Sequence, residues 1–272
     1  MPFHGHAAAL FCFAQQSRPG RFHNGIADDG ARLQSRRIDR AVVGSVVPLG
    51  ESLTLPVHKE LASDFFAQRR EIGIVNIGGA GKISVDGETF EVDNRDSLYI
   101  GRGSKEVEFQ SKSVEKPAQY YLLSYPAHAE YPTKLVKQAD ANKLELGSLE
   151  ECNERILHQS ICPGIVDTCQ VVMGFTQLAP GSIWNTMPPH THRRRSEIYL
   201  YFDLDDESNV FHFMGEPDET RSMVVRNGEA VVSPSWSLHC AAGTRNYTFI
   251  WGMGGENQEF TDMDHIDMKT LR

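Results

Sequence analysis

The sequence is poor in features that mark several classes of protein. Its five cysteines are irregularly spaced among 272 residues and form no CxxC pair. A reducing cytoplasm is therefore the expected setting, with most cysteines acting as small buried hydrophobes. No apolar run approaches the ~18–20 residues of a membrane helix. The N-terminal patch AAALFCFA lacks the cationic lead and cleavage site of a signal peptide, so we expect neither a membrane partner nor secretion.

The chain also lacks an excess of basic residues, because its formal net charge is -9. Proteins that bind nucleic acid need basic patches, so no nucleic-acid partner is expected. A small anionic substrate, held by a few local arginines, stays compatible with this charge. The length suits two domains of ~100–150 residues rather than one.

Short β-rich runs are abundant, among them EIGIVNIGG, KISVDGETFEV and EIYLYF, and they are divided by Gly, Asp and Asn. The pair Asp86-Gly87 predicts a tight hairpin, because both turn positions need a positive φ. Helical periodicity is confined to two candidate segments, residues 55–71 and 136–147. Many short strands at regular spacing predict an all-β protein built from sandwiches or barrels, with a few short helices.

The order of elements repeats between the two halves of the chain, although the residues match weakly. QRREIGIVNIGG parallels RRRSEIYLYFDL, and DSLYIGRGSKEVEF parallels AVVSPSWSLHCAAG. We predict an N-terminal arm over 1–36, a first barrel over 37–135, a linker over 136–162 and a second barrel over 163–272.

Three histidines and a glutamate form a candidate metal site. His190 and His192, in PPHTHRRRSEI, are two residues apart and so point to the same side of an extended chain. Glu197 stands at an odd offset from them, and a turn in the polar segment between would bring it back to the same cavity. His239 follows far along the chain. Three imidazoles and one carboxylate suit Zn²⁺, Fe²⁺, Mn²⁺ or Ni²⁺.

This arrangement resembles the cupin family, whose first motif is HxH, four residues and Glu. Its second motif, a Gly, then Pro, then His five residues later, matches Gly228, Pro234 and His239. The resemblance implies two cupin barrels of the jelly-roll type. In the first barrel Glu71 takes the place of the metal-binding glutamate. The histidine positions there read as Asp64, Phe66 and Glu106, so we expect that barrel to lack a metal.

Longer strings, including RREIGIVNIGGAGKISVDGE and TCQVVMGFTQLAPGSIWNTMPPHTHRR, resemble the 5-keto-4-deoxyuronate isomerase family over residues 38–272. The resemblance implies an intracellular enzyme of pectin and uronate breakdown. It would interconvert 5-dehydro-4-deoxy-D-glucuronate and 3-deoxy-D-glycero-2,5-hexodiulosonate. It further implies a homohexamer with one Zn²⁺ per chain on the three histidines and Glu197.

Such an isomerisation needs an acid/base group and stabilisation of negative charge on oxygen. Tyr199 shares the strand face of Glu197 and is a candidate acid, and Glu256, in a glycine-flanked turn, is a second candidate. The sugar-acid substrate carries a carboxylate, so an arginine clamp is expected. Arg195 and Arg221 are the candidates for it.

Two other functions suit the same residues. Three histidines and a glutamate also suit an Fe(II) cupin dioxygenase, which would consume oxygen when loaded with iron. A non-catalytic sugar-binding bicupin would bind a ligand without turning it over.

Overall fold

A computed structural model describes residues 40–272 in full and, before them, only the backbone of two strands, Phe13–Ala14 and Gly30–Arg36. Apart from those strands, the arm predicted over 1–36 and its apolar patch lie outside the described residues.

Strands dominate the described residues, as the sequence predicts. In chain order they are β1 (Phe13–Ala14), β2 (Gly30–Arg36), β3 (Val42–Val47), β4 (Leu53–Thr54), β5 (Arg70–Asn76), β6 (Gly81–Val85), β7 (Glu88–Val92), β8 (Ser97–Ile100), β9 (Val107–Ser111), β10 (Tyr120–Pro126), β11 (Lys134–Val136), β12 (Asn142–Leu146), β13 (Arg155–Ile161), β14 (Val172–Leu178), β15 (Trp184–Thr191), β16 (Arg195–Phe202), β17 (Val210–Glu216), β18 (Glu219–Val225), β19 (Ala230–Ser233), β20 (Leu238–Gly243), β21 (Thr248–Gly255) and β22 (Asp264–His265). Single 3₁₀ turns span Lys59–Leu61, Phe66–Gln68, Gln138–Asp140 and Met268–Thr270.

The chain forms two compact units. Among the described residues, the first unit runs to Ala139 and includes Val166–Cys169, and the second comprises Asp140–Ile165 and Gln170–Arg272. The first unit holds the sheets β1-β2-β3-β10-β5-β8-β11 and β4-β9-β6-β7. The second holds β12-β13-β14-β21-β16-β19 and β18-β17-β20-β15-β22. The order β3-β10-β5-β8 in one unit corresponds to β14-β21-β16-β19 in the other, so the repeat of elements read from the sequence is present in the fold.

Both candidate helical segments differ from their prediction. Residues 55–71 contain only two 3₁₀ turns, and residues 136–147 contain one such turn followed by β12. Strands β12 and β13 also lie in the segment predicted as a linker, and both belong to the second unit's six-stranded sheet. The side chains of β12 are mostly exposed or half-buried, so this edge strand carries little of the apolar alternation that marks a strand in sequence.

The hairpin predicted at Asp86-Gly87 is present, joining β6 to β7 with φ of 49° and 89° at the two residues.

The side chain of Glu71 does not point to the face that a counterpart of Glu197 would occupy. Its neighbours Ile72 and Ile74 belong to the first unit's apolar core, and successive side chains of a strand point to opposite faces. Glu71 therefore faces away from that core, whereas Glu197 faces the interior of the second unit.

On that opposite face, Glu71 is fully buried and its Oε2 accepts two hydrogen bonds. The donors are the Tyr99 hydroxyl, at 2.9 Å, and the Cys169 amide, at 2.7 Å. The predicted counterparts of the histidines do not gather around it, because Asp64 and Glu106 are exposed and Phe66 packs in the core.

The second unit has an interior rich in aromatic side chains. Tyr199 and Tyr201 on β16 pack with Phe249 and Trp251 on β21, and all four are at most 4% exposed. Alternate residues of β16 thus fill the space between the two sheets. Glu197, two residues before Tyr199, points into the same space at one end of it.

Candidate metal centre

Three strands bring the candidate ligands together. His190 lies in β15 and His192 directly follows that strand, Glu197 lies in β16, and His239 lies in β20. The main chain pairs His190 with His239 across β15 and β20. A tight turn, in which the Arg195 amide bonds to the His192 carbonyl, returns Glu197 to the side of the histidines.

The four ligand atoms crowd around one point. His190 Nε2 lies 3.1 Å from His192 Nε2 and 3.2 Å from His239 Nε2. Glu197 Oε2 lies 2.9 Å from His192 Nε2 and 3.1 Å from His239 Nε2. Ligand atoms that share an ion at ~2.0–2.1 Å stand on the order of 3 Å apart. This spacing fits a single transition-metal ion.

The contacts of Nδ1 show which ring nitrogen of His192 carries the proton. His192 Nδ1 lies 2.7 Å from the Asp262 carbonyl oxygen, which can only accept, so Nδ1 carries the proton. Arg195 Nη2 lies 3.3 Å from the same Nδ1 and also 3.3 Å from that carbonyl. Since a guanidinium only donates, the Asp262 carbonyl accepts both hydrogen bonds, one from His192 Nδ1 and one from Arg195 Nη2. His192 Nε2 therefore carries no proton, and its lone pair points towards the other three candidate ligand atoms.

The other two histidines are held less tightly. His190 Nδ1 lies 3.4 Å from the Pro188 carbonyl, and His239 Nδ1 lies 3.1 Å from Ser233 Oγ. Lone pairs and a carboxylate converge on one point, and such a group repels itself unless a cation stands between its members. Among the described residues, this is the group that can hold a metal ion.

Burial favours the neutral form of His190 and of His239, as metal ligation requires. Each of the four side chains is at most 7% exposed. Burial, with contributions from His239 and His192, lowers the pKa of His190 to about 2. Burial also lowers the pKa of His239, against the raising effect of Glu197. For Glu197 itself, burial raises the pKa, but the neighbouring His239 and His192 side chains outweigh it and hold the pKa well below its usual range.

The chain after β21 covers the centre. Two arginines hold this covering segment, defined here as residues 256–265. The buried Arg195 donates to the Glu259 carbonyl at 2.6 Å, and Arg194 Nε donates to both carboxylate oxygens of Asp262 at 2.8 Å. Hydrogen bonds from Arg194 and Asn257 lower the pKa of Asp262 below its ordinary value.

Beside the ligands lies a cavity of about 680 Å³, counted out to its open mouth. His190, His192, Glu197 and Tyr199 line it, and the rest of its wall is largely apolar. The apolar side chains include Leu146, Leu157, Phe249, Trp251, Met253 and Phe260. Apolar walls with a few convergent polar groups are typical of small-molecule sites.

The other predicted site residues fall in different places. Tyr199 lines the cavity, and burial raises the pKa of its phenol well above the ordinary value. Glu256 is exposed and outside the cavity wall. Arg195 is also outside that wall, because its guanidinium is taken up by carbonyls of the covering segment. Arg221 is exposed on β18, where it pairs with Glu219.

Two ionisable residues that the sequence did not single out line the cavity. His265 stands opposite His190 in the pairing of β22 with β15, and their ring centroids are 5.9 Å apart. Arg155, at the start of β13, is the one arginine or lysine in the wall among the described residues. Neither has a sequence signal of its own, since each reaches the cavity only through strand pairing.

Comparison with known proteins shows which family the chain belongs to. The family model described as KduI/IolB matches residues 28–268. The chain belongs to the KduI/IolB family. A relative from Lachnoclostridium phytofermentans, named 4-deoxy-L-threo-5-hexosulose-uronate ketol-isomerase, is 53% identical over 89% of this chain and 87% of its own length. A relative of the same name from Formosa agariphila is 50% identical over 92% of this chain and 89% of its own.

Solved structures share the fold of this KduI/IolB member. An IolB-like protein from Salmonella typhimurium aligns with a TM-score of 0.66, at 16% identity, over 80% of this chain and 85% of that one. An oxalate decarboxylase from Lactobacillus farciminis aligns with a TM-score of 0.62, at 10% identity, over 94% and 90%. At this identity the likeness concerns the fold alone, and it confirms the cupin-like, all-β architecture. No helix among the described residues is long and apolar enough to span a membrane.

Proposed function

We propose that this protein is a metal-dependent ketol-isomerase of pectin and uronate breakdown. It interconverts 5-dehydro-4-deoxy-D-glucuronate and 3-deoxy-D-glycero-2,5-hexodiulosonate. The observation that carries the proposal is a buried ligand group, three histidines and Glu197, opening on a cavity in a chain of the KduI/IolB family. The shared name of its relatives, at about half identity over most of both chains, supports the same reaction.

Zn²⁺ is the ion proposed for the group, one per chain, because imidazole nitrogen and carboxylate oxygen are donors that zinc favours. When bound, it would supply a positive charge that stabilises negative charge on substrate oxygens. The residues that would hold it are His190, His192, Glu197 and His239.

One side chain of the cavity is suited to donate a proton in this reaction. Moving a hydrogen between adjacent carbons through an enediol requires a proton donor next to an oxygen that gains negative charge. Tyr199 meets this requirement, because its buried phenol keeps its proton and lines the cavity two residues from Glu197. Apolar walls such as Phe249 and Trp251 exclude water, which strengthens the polar contacts within.

A purified sample with metal analysis and a turnover assay tests the proposal. We expect about one divalent ion per chain, and conversion of the unsaturated-uronate-derived ketone to the 2,5-diketo acid when zinc is present. His190→Ala and His239→Ala should lose both ion and turnover, whereas the exposed His128→Ala is the matched control. Turnover that survives chelation and both ligand variants would contradict the proposal. Oxygen uptake by the iron-loaded protein would favour the dioxygenase instead.

The resemblance also implies that the protein is a homohexamer and that it is located in the cytoplasm. We include both properties in this proposal. Sedimentation velocity on the zinc-loaded protein measures the assembly directly. A single species at the mass of one chain would contradict it.

A further inference from the structure

We propose that Arg155 binds the carboxylate of the substrate and sets the specificity of the cavity for sugar acids. This inference rests on the proposed function and extends it to a residue outside the predicted clamp. Arg155 lies at the start of β13, in the strand next to the sheet edge, and its side chain reaches the cavity that contains the metal ligands.

Strand pairing explains how so distant a strand lines the same cavity. Glu197 on β16 pairs with Met253 on β21, and Met253 pairs with Val172 on β14. Arg155 on β13 pairs with Leu178, which lies six residues further along β14 than Val172. The cavity wall shifts in the same direction from strand to strand. On β21 it extends from Met253 to Phe249, and on β13 it begins at Leu157, which lies in the row of Phe249, and continues to Arg155. The wall therefore crosses the sheet diagonally, as expected for strands tilted within a barrel.

Because the wall is diagonal, Arg155 and the candidate metal ligands lie at its opposite ends. Between them the wall is mostly apolar, with Leu157, Phe249 and Trp251. A sugar acid also has two polar ends, namely its carboxylate and the carbonyl that reacts. The charges of the cavity therefore match a substrate that lies with its carboxylate at Arg155 and its reacting carbons at the histidine cluster.

The guanidinium keeps donors for such a ligand. Its described hydrogen bond runs from Nη1 to the Asn153 carbonyl at 2.7 Å, and a guanidinium carries five N–H donors. Burial lowers the pKa of Arg155 from its ordinary value, partly offset by Tyr247 and Glu151, and an arginine stays charged at neutral pH. A half-buried cation in an apolar wall is suited to a carboxylate, because two parallel hydrogen bonds can form away from bulk water.

The predicted clamp residues cannot take this role in the described arrangement. Arg195 donates to the carbonyls of Glu259, Phe260 and Asp262. Arg221 is exposed outside the cavity.

Kinetics of the zinc-loaded enzyme test the inference. Arg155→Gln should raise KM for the uronate ketone by on the order of 10- to 100-fold, the usual cost of a lost charged hydrogen bond. kcat should change far less, because the reacting carbons lie at the other end of the cavity. Arg155→Lys should recover part of the loss through its remaining charge. Arg245→Gln, an exposed arginine paired with Asp205, is the matched control and should behave as wild type.

A binding measurement separates this inference from the proposed function. Calorimetry with D-glucuronate and with its uncharged methyl ester should show that wild type prefers the acid and that Arg155→Gln loses the preference. If wild type turns over no ketone yet shows this Arg155-dependent preference, the proposed reaction fails and the anion site stands. Unchanged KM and an unchanged preference in Arg155→Gln would overturn the inference. If that variant does not fold, a wild type without preference for the acid would overturn it equally.

Discussion

The Asp262 carbonyl oxygen accepts from His192 Nδ1 at 2.7 Å, across 70 residues of sequence. This contact orients one candidate metal ligand, and the Arg194–Asp262 ion pair holds the carbonyl in place. Partners of this kind fix the ring and the tautomer of a ligating histidine.

Asp262→Ala should weaken metal binding by about 10- to 100-fold, the range usual for loss of such support. The reason is that the carbonyl loses the ion pair that positions it. Competition with a zinc chelator measures the affinity. Asp205→Ala breaks an exposed ion pair with Arg245 in the same unit and serves as the control. An Asp262→Ala protein that holds zinc as tightly as wild type would show that the covering segment does not support the site.

Glu197 and Glu71 are both buried carboxylates near the start of corresponding strands, and their loss should have different results. Glu197→Gln should abolish tight zinc binding, because an amide oxygen is a far weaker ligand than a carboxylate. Glu71→Gln should keep one ion per chain but lower the free energy of unfolding by about 1–3 kcal/mol, since its oxygen accepts from Tyr99 and Cys169. Metal analysis and urea unfolding measure the two effects. Loss of zinc from Glu71→Gln would contradict this assignment.

Tyr199→Phe should lower kcat by about 10²- to 10⁴-fold while zinc stays bound, if the phenol donates the proton. Tyr201→Phe is a close control, because Tyr201 lies on the same face of β16 but outside the cavity wall, with its hydroxyl 2.7 Å from His212 Nδ1. Single-turnover rates and zinc content are the measurements. Equal kcat in both variants would assign Tyr199 to packing.

His212 should make stability depend on pH. Burial, helped by His239, lowers the pKa of His212 to about 3, against ~6.5 in an unfolded chain. The unfolded state therefore binds the extra proton first, and stability present above pH 6.5 is lost as pH falls below it. The loss for this one histidine is about 2 kcal/mol between pH 7 and pH 5.

Urea unfolding of metal-free protein at both pH values measures that difference. In His212→Gln the difference should shrink by about the same amount, and His128→Gln at an exposed site controls for loss of an imidazole. A pH dependence that is the same in His212→Gln as in wild type would show that the pKa of His212 is the same in the native and unfolded states.

Local spacing was enough to find the side chains that converge, because HxH and the following Glu lie on two strands joined by a tight turn. It also predicted the β architecture, the repeat and the Asp86-Gly87 hairpin. Spacing failed for Glu71, because a shift of one residue on a strand exchanges the two faces of a sheet. It failed for Arg155 too, because that side chain reaches the cavity only through pairing across several strands. Spacing also could not show that the guanidinium of Arg195, a candidate for the clamp, donates to carbonyls more than 60 residues away in the chain.

The covering segment has a consequence for biosynthesis. During translation, His190, His192, Glu197 and His239 leave the ribosome before Asp262 does, since they precede it in the chain. Until Asp262 emerges, the carbonyl that accepts from His192 Nδ1 is missing. We therefore expect a nascent chain from which Asp262 has not yet emerged to exchange zinc more rapidly than the fully folded protein.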